Sequence, residues 1–406
     1  MRGKHRLNRE VLALSLARLA DALGNGSLFV LIPLYFTTLP EVAFKLPFPL
    51  LIGILISIYG ITSALMQPLM GALSDFFGRR KLFIQTGLLL MAGSTLFFVL
   101  TDNFIVLLVL RFLQGVGGAL AMSASVAHMA AVTEKSTRGE AMGLYNTMRV
   151  VGFAVGPLIG GGLQVYYGFD VSFYVAAGFM FLAVVLVQCM IQEVPKKVSE
   201  TISAFTGLID PRLLNASIVG ASLAIFLMAA NSSMMVTLAN EFNQRLSQDA
   251  LGFGFAFSSI MVGRILFQIP LGRLSDRIGR KPLIVIGLVV MAPATVLLAA
   301  ATSTLQLIGI RIIQGVAVAA IAAPAYALGA DMSSKGGEGR QMSILSAGFM
   351  MGLALGPLAS GALAAFSFSL PFLVGGVSLL IGAAIVYRCV PENSREPLVE
   401  NLGDGQ

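Results

Sequence analysis

The side chains with the most chemistry in reach in this 406-residue chain are one carboxylate and five arginines set inside apolar runs. Asp21 lies in the run 11–36, and Arg18, Arg111, Arg149, Arg264 and Arg311 lie in that run or in others like it. An ionisable group in apolar surroundings costs several kcal/mol unless it finds a partner or water. Asp21 is the single carboxylate deep in any run. Moving an arginine by a few ångströms changes how tightly a buried carboxyl holds its proton. Such a pair can tie proton movement to a change of shape. Three partners are open to Asp21. Arg18 sits at i−3, one helical turn earlier, where a static ion pair would form. Arg111 is expected at nearly the same depth: at about 1.5 Å per residue, Asp21 falls about 15 Å from one face and Arg111 about 10 Å from the other. Arg149 reaches about 12 Å in from the same face as Asp21. Arg18 and Arg264 are also placed to snorkel their heads to the nearer interface.

These residues need helices that cross a bilayer. The chain is 56% hydrophobic and 12% charged, with a mean hydropathy of +0.86. A soluble domain carries about a quarter of its residues as charges. Apolar runs fall near 11–36, 50–70, 82–101, 104–131, 141–164, 171–192, 213–238, 250–271, 282–301, 305–331, 341–364 and 370–390. Each is about as long as the ~20 residues that span a bilayer. They are continuous runs, not the short alternating segments of a barrel. The spacing predicts an all-α membrane protein of twelve spans. Its expected parts are a six-helix bundle over 1–192, a linker over 193–212, a second bundle over 213–390 and a tail over 391–406.

Basic residues orient the spans. With the N-terminus inside, twenty basic residues, from Arg2, Lys4, Arg6 and Arg9 to Arg388 and Arg395, face inward, and only Lys45 and Arg245 face outward. Both termini are therefore expected in the cytoplasm. The basic start and apolar run could mimic a secretory signal, but Asp21 and the lack of a small-residue cleavage site predict an uncleaved first helix. The net charge of +7 sits in short clusters between apolar runs, which excludes a nucleic-acid-binding stripe. Cys189 and Cys389 at inner helix ends give no disulfide framework, and His5 and His128 supply no metal site. No phosphate-binding loop of the G-x-x-x-x-G-K-S/T type is present, so an ATP-driven pump is excluded for this single chain. No Ser/His/Asp constellation supports an enzyme.

The chain repeats itself. Gly71-Ala-Leu-Ser-Asp75-Phe-Phe-Gly78-Arg79-Arg80-Lys81 returns as Gly272-Arg-Leu-Ser-Asp276-Arg-Ile-Gly279-Arg280-Lys281. Arg111-Phe-Leu-Gln114-Gly115 returns as Arg311-Ile-Ile-Gln314-Gly315, and Gly152-Phe-Ala-Val-Gly156-Pro157 as Gly352-Leu-Ala-Leu-Gly356-Pro357. Three motifs in one order, each about 200 residues on, predict a duplicated six-helix unit, with a substrate site between the copies at mid-membrane.

On these motifs the chain resembles the major facilitator superfamily over essentially its whole length. The Gly152-x-x-x-Gly156-Pro157-x-x-Gly160-Gly161 segment and Asp21-x-x-Gly24-x-Gly26 resemble the twelve-helix drug:proton antiporters, the group that includes the tetracycline exporters. A recurrence of the Gly-Pro pattern at Gly352–Gly361 departs from a single-copy antiporter motif. The resemblance implies alternating access. It implies a latch at Gly71, Asp75, Gly78 and Arg79, and at Gly272, Asp276, Gly279 and Arg280, fastening the inner ends of the halves together. It also implies a seam where the halves meet, at Gly152, Gly156, Pro157 and Gly160 and at Gly352, Gly356 and Pro357. Gly71, lacking a side chain, would let another helix approach closely, and Gly78 tolerates positive φ. The i, i+4 glycines equally suit plain helix packing.

Within that frame, Asp21 and Arg111 are the expected proton-coupling residues. Asn25, Gln67, Asn146, Arg149, Asn231, Gln268 and Arg311 are the expected polar contacts of the substrate cavity, though each amide equally suits a helix–helix bond. Five arginines against one aspartate disfavour strictly cationic cargo and favour neutral, zwitterionic or anionic amphipaths. The expectation is a monomeric carrier in the cell membrane that takes a small-molecule substrate, exchanges protons, contacts lipid, and needs no cofactor beyond the proton gradient. A sugar or metabolite carrier of the same fold, or a receptor that does not transport, is the alternative.

Overall fold

The computed structural model describes residues 9–40, 46–134, 137–193, 216–331 and 338–390. The described residues are helical, apart from short turns and single-turn 3₁₀ segments. The first four long helices are α1 (Arg9–Tyr35), α2 (Phe48–Phe77), α3 (Arg80–Phe97) and α4 (Phe104–Val132). A helical stretch Arg138–Met190 follows. At about 1.5 Å per residue its 53 residues would reach ~80 Å, far beyond the ~30 Å of a bilayer core. Gly168 divides it, with φ 82° and ψ −178°. No side chain tolerates that conformation well, and glycine does. The result is α5 (138–167) and α6 (169–190). Instead of the loop expected between 164 and 171, one glycine makes the turn.

The chain continues with α7 (Ala216–Thr237), a short helix Ala239–Leu246, α8 (Ala250–Ile278), α9 (Arg280–Leu297), α10 (Thr304–Asp331), α11 (Glu338–Ala364) and α12 (Leu370–Cys389). Among the described residues, eleven helices are long and apolar enough to cross a membrane, the divided stretch being one of them. The chain is a multi-pass membrane protein. The linker expected over 193–212 lies outside the described residues from position 194, as does the tail over 391–406. So do Arg2, Lys4, His5, Arg6, Lys45, Lys135, Lys196, Lys197, Arg212, Lys335, Arg395 and the side chain of Arg340.

Helix α2 runs through Gly71 to Phe77, so most of the repeated loop motif is helical and only Gly78 and Arg79 form the turn. Gly78 takes φ 63°, ψ 15°, and its N–H closes the helix on Ser74 O at 3.1 Å. Asn103 and Asp249 cap α4 and α8 by accepting the N–H groups of Ile105 and Gly252.

Buried apolar residues fall into three clusters. One joins the Tyr35 end of α1 with the neighbouring ends of α2, α3, α4 and α6, and with α7, the short helix and the start of α8. The other two lie at the Arg9 end and do not merge. One belongs to α1, α3, α4, α5 and α6, and the other to α7 through α12. The bundle therefore shares one core at the Tyr35 end and has two separate cores at the Arg9 end.

Glycines set how closely the helices approach. A Cβ on Gly152, Gly156 or Gly160 of α5 would collide with Leu19, Ala22, Leu23, Gly26 or Ser27 of α1, mostly against backbone. Positions four apart share a helix face, so this stripe points to α1. The stripe Gly352 and Gly356 of α11 faces Phe226, Ala229, Ala230 and Ser233 of α7 in the same manner. For the glycines this corrects the expected seam, because both stripes pack within one set of six helices, whereas Pro157 and Pro357 of the same motifs lie where the sets meet. Contact between the sets comes from the adjacent face. Gly161 and Pro157 of α5 meet Ala250, Leu251 and Gly254 of α8, and Pro357 and Gly361 of α11 meet Gly53 and Pro49 of α2. Hydroxyls reinforce the stripes: Ser27 Oγ donates to Gly156 O at 2.9 Å, and Ser360 Oγ to Met234 O at 3.0 Å.

Gly156→Leu should overpack α1 against α5 and lower stability by about 1–3 kcal/mol or more. Gly178, where an added Cβ would meet no other part of the structure within 4 Å, is the control. Gly178→Ala should leave the melting temperature unchanged or raise it slightly, the gain expected from about 0.5–1 kcal/mol of helix propensity. Thermal unfolding of the purified variants, followed by size-exclusion chromatography, reads both outcomes.

Candidate functional site

Asp21 is 3% exposed and its two oxygens are both engaged. Oδ2 accepts from Arg18 Nη1 at 2.6 Å, and Oδ1 accepts from Asn25 Nδ2 at 2.7 Å. All three residues sit on α1, at i−3 and i+4 from the aspartate, where helix geometry stacks them on one face. The Arg18 guanidinium also lies 5.7 Å from the Tyr145 ring of α5. Two small cavities flank this trio. One, of about 250 Å³ with its mouth included, touches Arg18, Asp21, Ser125 and Tyr145. The other, of about 310 Å³, touches Asn25, Tyr59, Arg111 and Phe153.

Arg111 does not pair with Asp21. Its Nε donates to Leu55 O at 3.1 Å, its Nη1 to Gln114 Oε1 at 2.9 Å and its Nη2 to Ile56 O at 3.4 Å, and its head lies 4.8 Å from the Tyr59 ring. Similar depth did not bring the two together, because Arg18 on the same helix already satisfies the carboxylate while α2 carbonyls satisfy Arg111. Gln114 donates onward to Thr95 Oγ1 at 2.9 Å. The same chain recurs about 200 residues later: Arg311 Nη1 donates to Gln314 Oε1 at 2.9 Å, and Gln314 to Thr295 Oγ1 at 3.1 Å. Gln114, Gln314, Thr95 and Thr295 have no assigned role in the sequence reading. Their repetition at one spacing is the signal that marks them.

A larger cavity of about 770 Å³, mouth included, lies between the two sets of helices. Phe29 of α1 and Phe257 of α8 stack across it at 5.4 Å, with Phe153 of α5 beside Phe29 at 5.8 Å. Arg149, Arg264 and Arg311 all line it. Arg149 sits 5.8 Å from the Phe349 ring and not against Asp21. Arg264 lines the cavity instead of leaving for the interface, its Nε donating to Gln268 Oε1 at 3.3 Å.

The amides scatter. Asn25 meets a cavity and Asp21, whereas Gln268 and Asn146 are exposed and line none of the cavities described above. Gln67 donates to Met122 Sδ at 3.4 Å within α2 and α4. Asn231 is buried, donates to Leu227 O at 2.9 Å and presses its oxygen toward Gly375 of α12. It serves packing between α7 and α12, because its helix turns that face away from the cavity.

At the turns, Asp75 accepts from Arg80 Nη2 at 2.9 Å, and Asp276 pairs with Arg280, which also reaches Asp331 at 3.3 Å. These described pairs lie within one set of helices. Arg79 is exposed beside the turn. A Cβ on Gly71 would make only ordinary contact with Ser123, and one on Gly272 would meet nothing within 4 Å. The close approach expected at Gly71 is absent among the described residues, as it is at Gly272.

Two further ionisable features fall outside the sequence reading. His128 is fully buried with Nε2 2.8 Å from Glu10 Oε2, a pairing of α4 with the start of α1 that spacing alone does not reveal. In the short helix at the joined end, burial pushes the Glu241 carboxyl up, opposed by its own backbone N–H and by Arg245. Among the described residues, no group of three or more His, Cys, Asp or Glu is placed to hold a metal.

A family model described as Major Facilitator Superfamily matches residues 14–220 and again residues 218–404. The multi-drug resistance efflux pump PmrA of Streptococcus pneumoniae is 30% identical over 330 residues, which cover 77% of this chain and 79% of PmrA. The multidrug resistance protein MdtG of Klebsiella pneumoniae is 27% identical over 338 residues, covering 82% of this chain and 81% of MdtG. In fold, the chain is similar to a bacterial homologue of the human lysosomal transporter Spinster, solved inward-facing and occupied, with a TM-score of 0.76 at 17% identity over 93% of this chain and 95% of that one. With its helices built as transmembrane spans and the family model matched twice along its length, the chain belongs to the major facilitator superfamily and is a transport protein, not an enzyme.

Proposed function

We propose that this transporter is a proton-coupled antiporter that exports small amphipathic compounds by alternating access. The observation that carries the reading is the position of Asp21. Its carboxylate and the Asn25 amide bonded to it stand between two small cavities, one shared with Arg18 and Tyr145 and the other with Tyr59 and Arg111. A proton can reach such a carboxyl from either side in turn if the helices around it shift. The α1–α5 glycine stripe makes Asp21 sensitive to that shift, because Arg18 also contacts Tyr145 of α5. In the proton-loaded state Asp21 no longer neutralises Arg18, and in the unloaded state the pair re-forms. The energy source is the proton gradient, and the scheme calls for no cofactor. Similarity to multidrug efflux proteins supports the export direction.

In this scheme residues 1–192 and 213–390 act as two rocking units joined by 193–212, with 391–406 as a tail. The excess of basic residues on one side supports cytoplasmic termini, and relatives from bacteria support a cell-membrane location for a monomeric carrier. On this reading the Arg9 end faces inward, and the separate cores at that end are consistent with a cytoplasm-open state. The turn acids Asp75 and Asp276 serve as latches that exchange their present partners for contacts across the inner mouth when it shuts.

Purified protein in liposomes with a trapped pH-sensitive dye and an imposed gradient of a neutral, an anionic or a cationic amphipath tests the coupling. Wild type should move protons against the amphipath flux. Asp21→Asn should fold, keep binding and lose proton movement; proton movement that persists in this variant reduces Asp21 to a structural partner of Arg18.

The latch is tested separately. In a Cys189→Ser, Cys389→Ser background, a reporter Val150→Cys lies on the cavity wall. Asp75→Asn should raise its labelling from the inner side by roughly 1.5- to 5-fold, the effect of an exposed pair's ~0.2–1 kcal/mol on a two-state balance. Equal labelling with and without the substitution removes Asp75 from the latch.

A further inference from the structure

The large cavity presents three guanidinium groups, Arg149, Arg264 and Arg311, and no carboxylate among its described lining residues. Arg311 is fully buried. Its Nη1 donates to Ser232 O at 3.2 Å and to Gln314 Oε1, which fixes the head between α7 and α10. Its Nε and Nη2 have no hydrogen-bond partner among the described residues. The equivalent Arg111 differs, since all three of its nitrogens donate. The same Arg-x-x-Gln motif is thus saturated in α4 and left with an open edge in α10.

A buried donor without an acceptor costs about 1–3 kcal/mol, and more when it is charged. Such a cost is sustained where an acceptor arrives during function. Nε and Nη2 form one edge of the planar guanidinium fork, the edge that matches two oxygens of a carboxylate, sulfonate or phosphonate. The surroundings suit the rest of such a molecule. The Arg311 head lies 5.3 Å from the Phe257 ring, and Phe257 stacks with Phe29 across a wall that is otherwise largely apolar. Arg149, whose Nε also lacks a partner, and Arg264 add positive potential without a compensating acid.

We infer that the open edge of Arg311 is an anion-recognising subsite, and that the cargo is an amphipathic organic anion whose acidic head binds there while its aryl or alkyl body lies against Phe257 and Phe29. That the bound molecule is cargo rests on the transport reading above; the binding itself does not.

Equilibrium dialysis of the full chain in detergent tests the subsite with a matched pair of probes, naphthalene-1-sulfonate and the neutral naphthalene-1-sulfonamide. Wild type should bind the sulfonate about tenfold more tightly. Arg311→Gln should erase that preference while leaving sulfonamide affinity within about twofold, and Arg311→Lys, which keeps the charge but not the fork, should retain part of it. Equal affinities in wild type, or an undiminished preference in Arg311→Gln, overturn the subsite. The wild-type comparison decides the matter even if Arg311→Gln fails to fold. Asp21→Asn should keep the preference. A sulfonate preference without proton flux overturns the coupling reading alone, whereas proton flux driven by neutral amphipaths with no charge preference overturns the anion subsite alone.

Discussion

A charge held inside an apolar bundle has to find its partner within the protein, and in this molecule there is one deep carboxylate for five arginines. The Arg18–Asp21 pair is the one ion pair that ratio allows at depth, and Asn25 completes it from the other side. The remaining arginines are accommodated by other means. Arg111 is held by α2 carbonyls, a glutamine and a tyrosine face, while Arg149, Arg264 and Arg311 gather around the central cavity. The polar architecture of the site follows from this imbalance. In the half that owns the aspartate, both oxygens of Asp21 and all three nitrogens of Arg111 are hydrogen-bonded. Around the cavity between the halves, Arg311 Nε and Nη2 and Arg149 Nε are buried without a hydrogen-bond partner among the described residues.

Packing supplies the second constraint. Glycine stripes bring α5 onto α1 and α11 onto α7 at backbone distance. The contacts of α5 with α8 and of α2 with α11 use neighbouring faces of the same helices and lie toward the joined end. The buried apolar surface is continuous across the two sets only there. A bundle joined at one end and parted at the other has a natural place to pivot, and the cavity with its three arginines lies on the parted side of the Phe29–Phe257 stack. In the transport scheme, chemistry at Asp21 and binding at Arg311 communicate through α1 and α5, which touch both sites.

Much of this was readable along the chain. The apolar runs mark the long helices within about four residues, except that α2 and α8 continue to Phe77 and Ile278 beyond the runs 50–70 and 250–271, because crossing a bilayer imposes a length and a composition on each segment by itself. The repeated motifs and the family resemblance follow from residue order alone, and so do the depth of Asp21 and its nearest possible partner one turn away. Even the positive φ at Gly78 is a local requirement.

What the residue order leaves open is the direction in which each helix face points. Arg111 lies at nearly the right depth to meet Asp21 and turns to α2 instead; three α5 glycines of a motif assigned to the seam face α1, and contact with α8 is made by Pro157 and Gly161 of that motif. Asn231 looks like a cavity residue and packs on α12, while His128 finds Glu10 across 118 positions of chain. Depth is set by the rise per residue and can be counted from a sequence. Azimuth is set by which neighbour offers the closest packing and the missing hydrogen bond, so the tertiary structure alone decided which of the buried charges met and which was left open to a ligand.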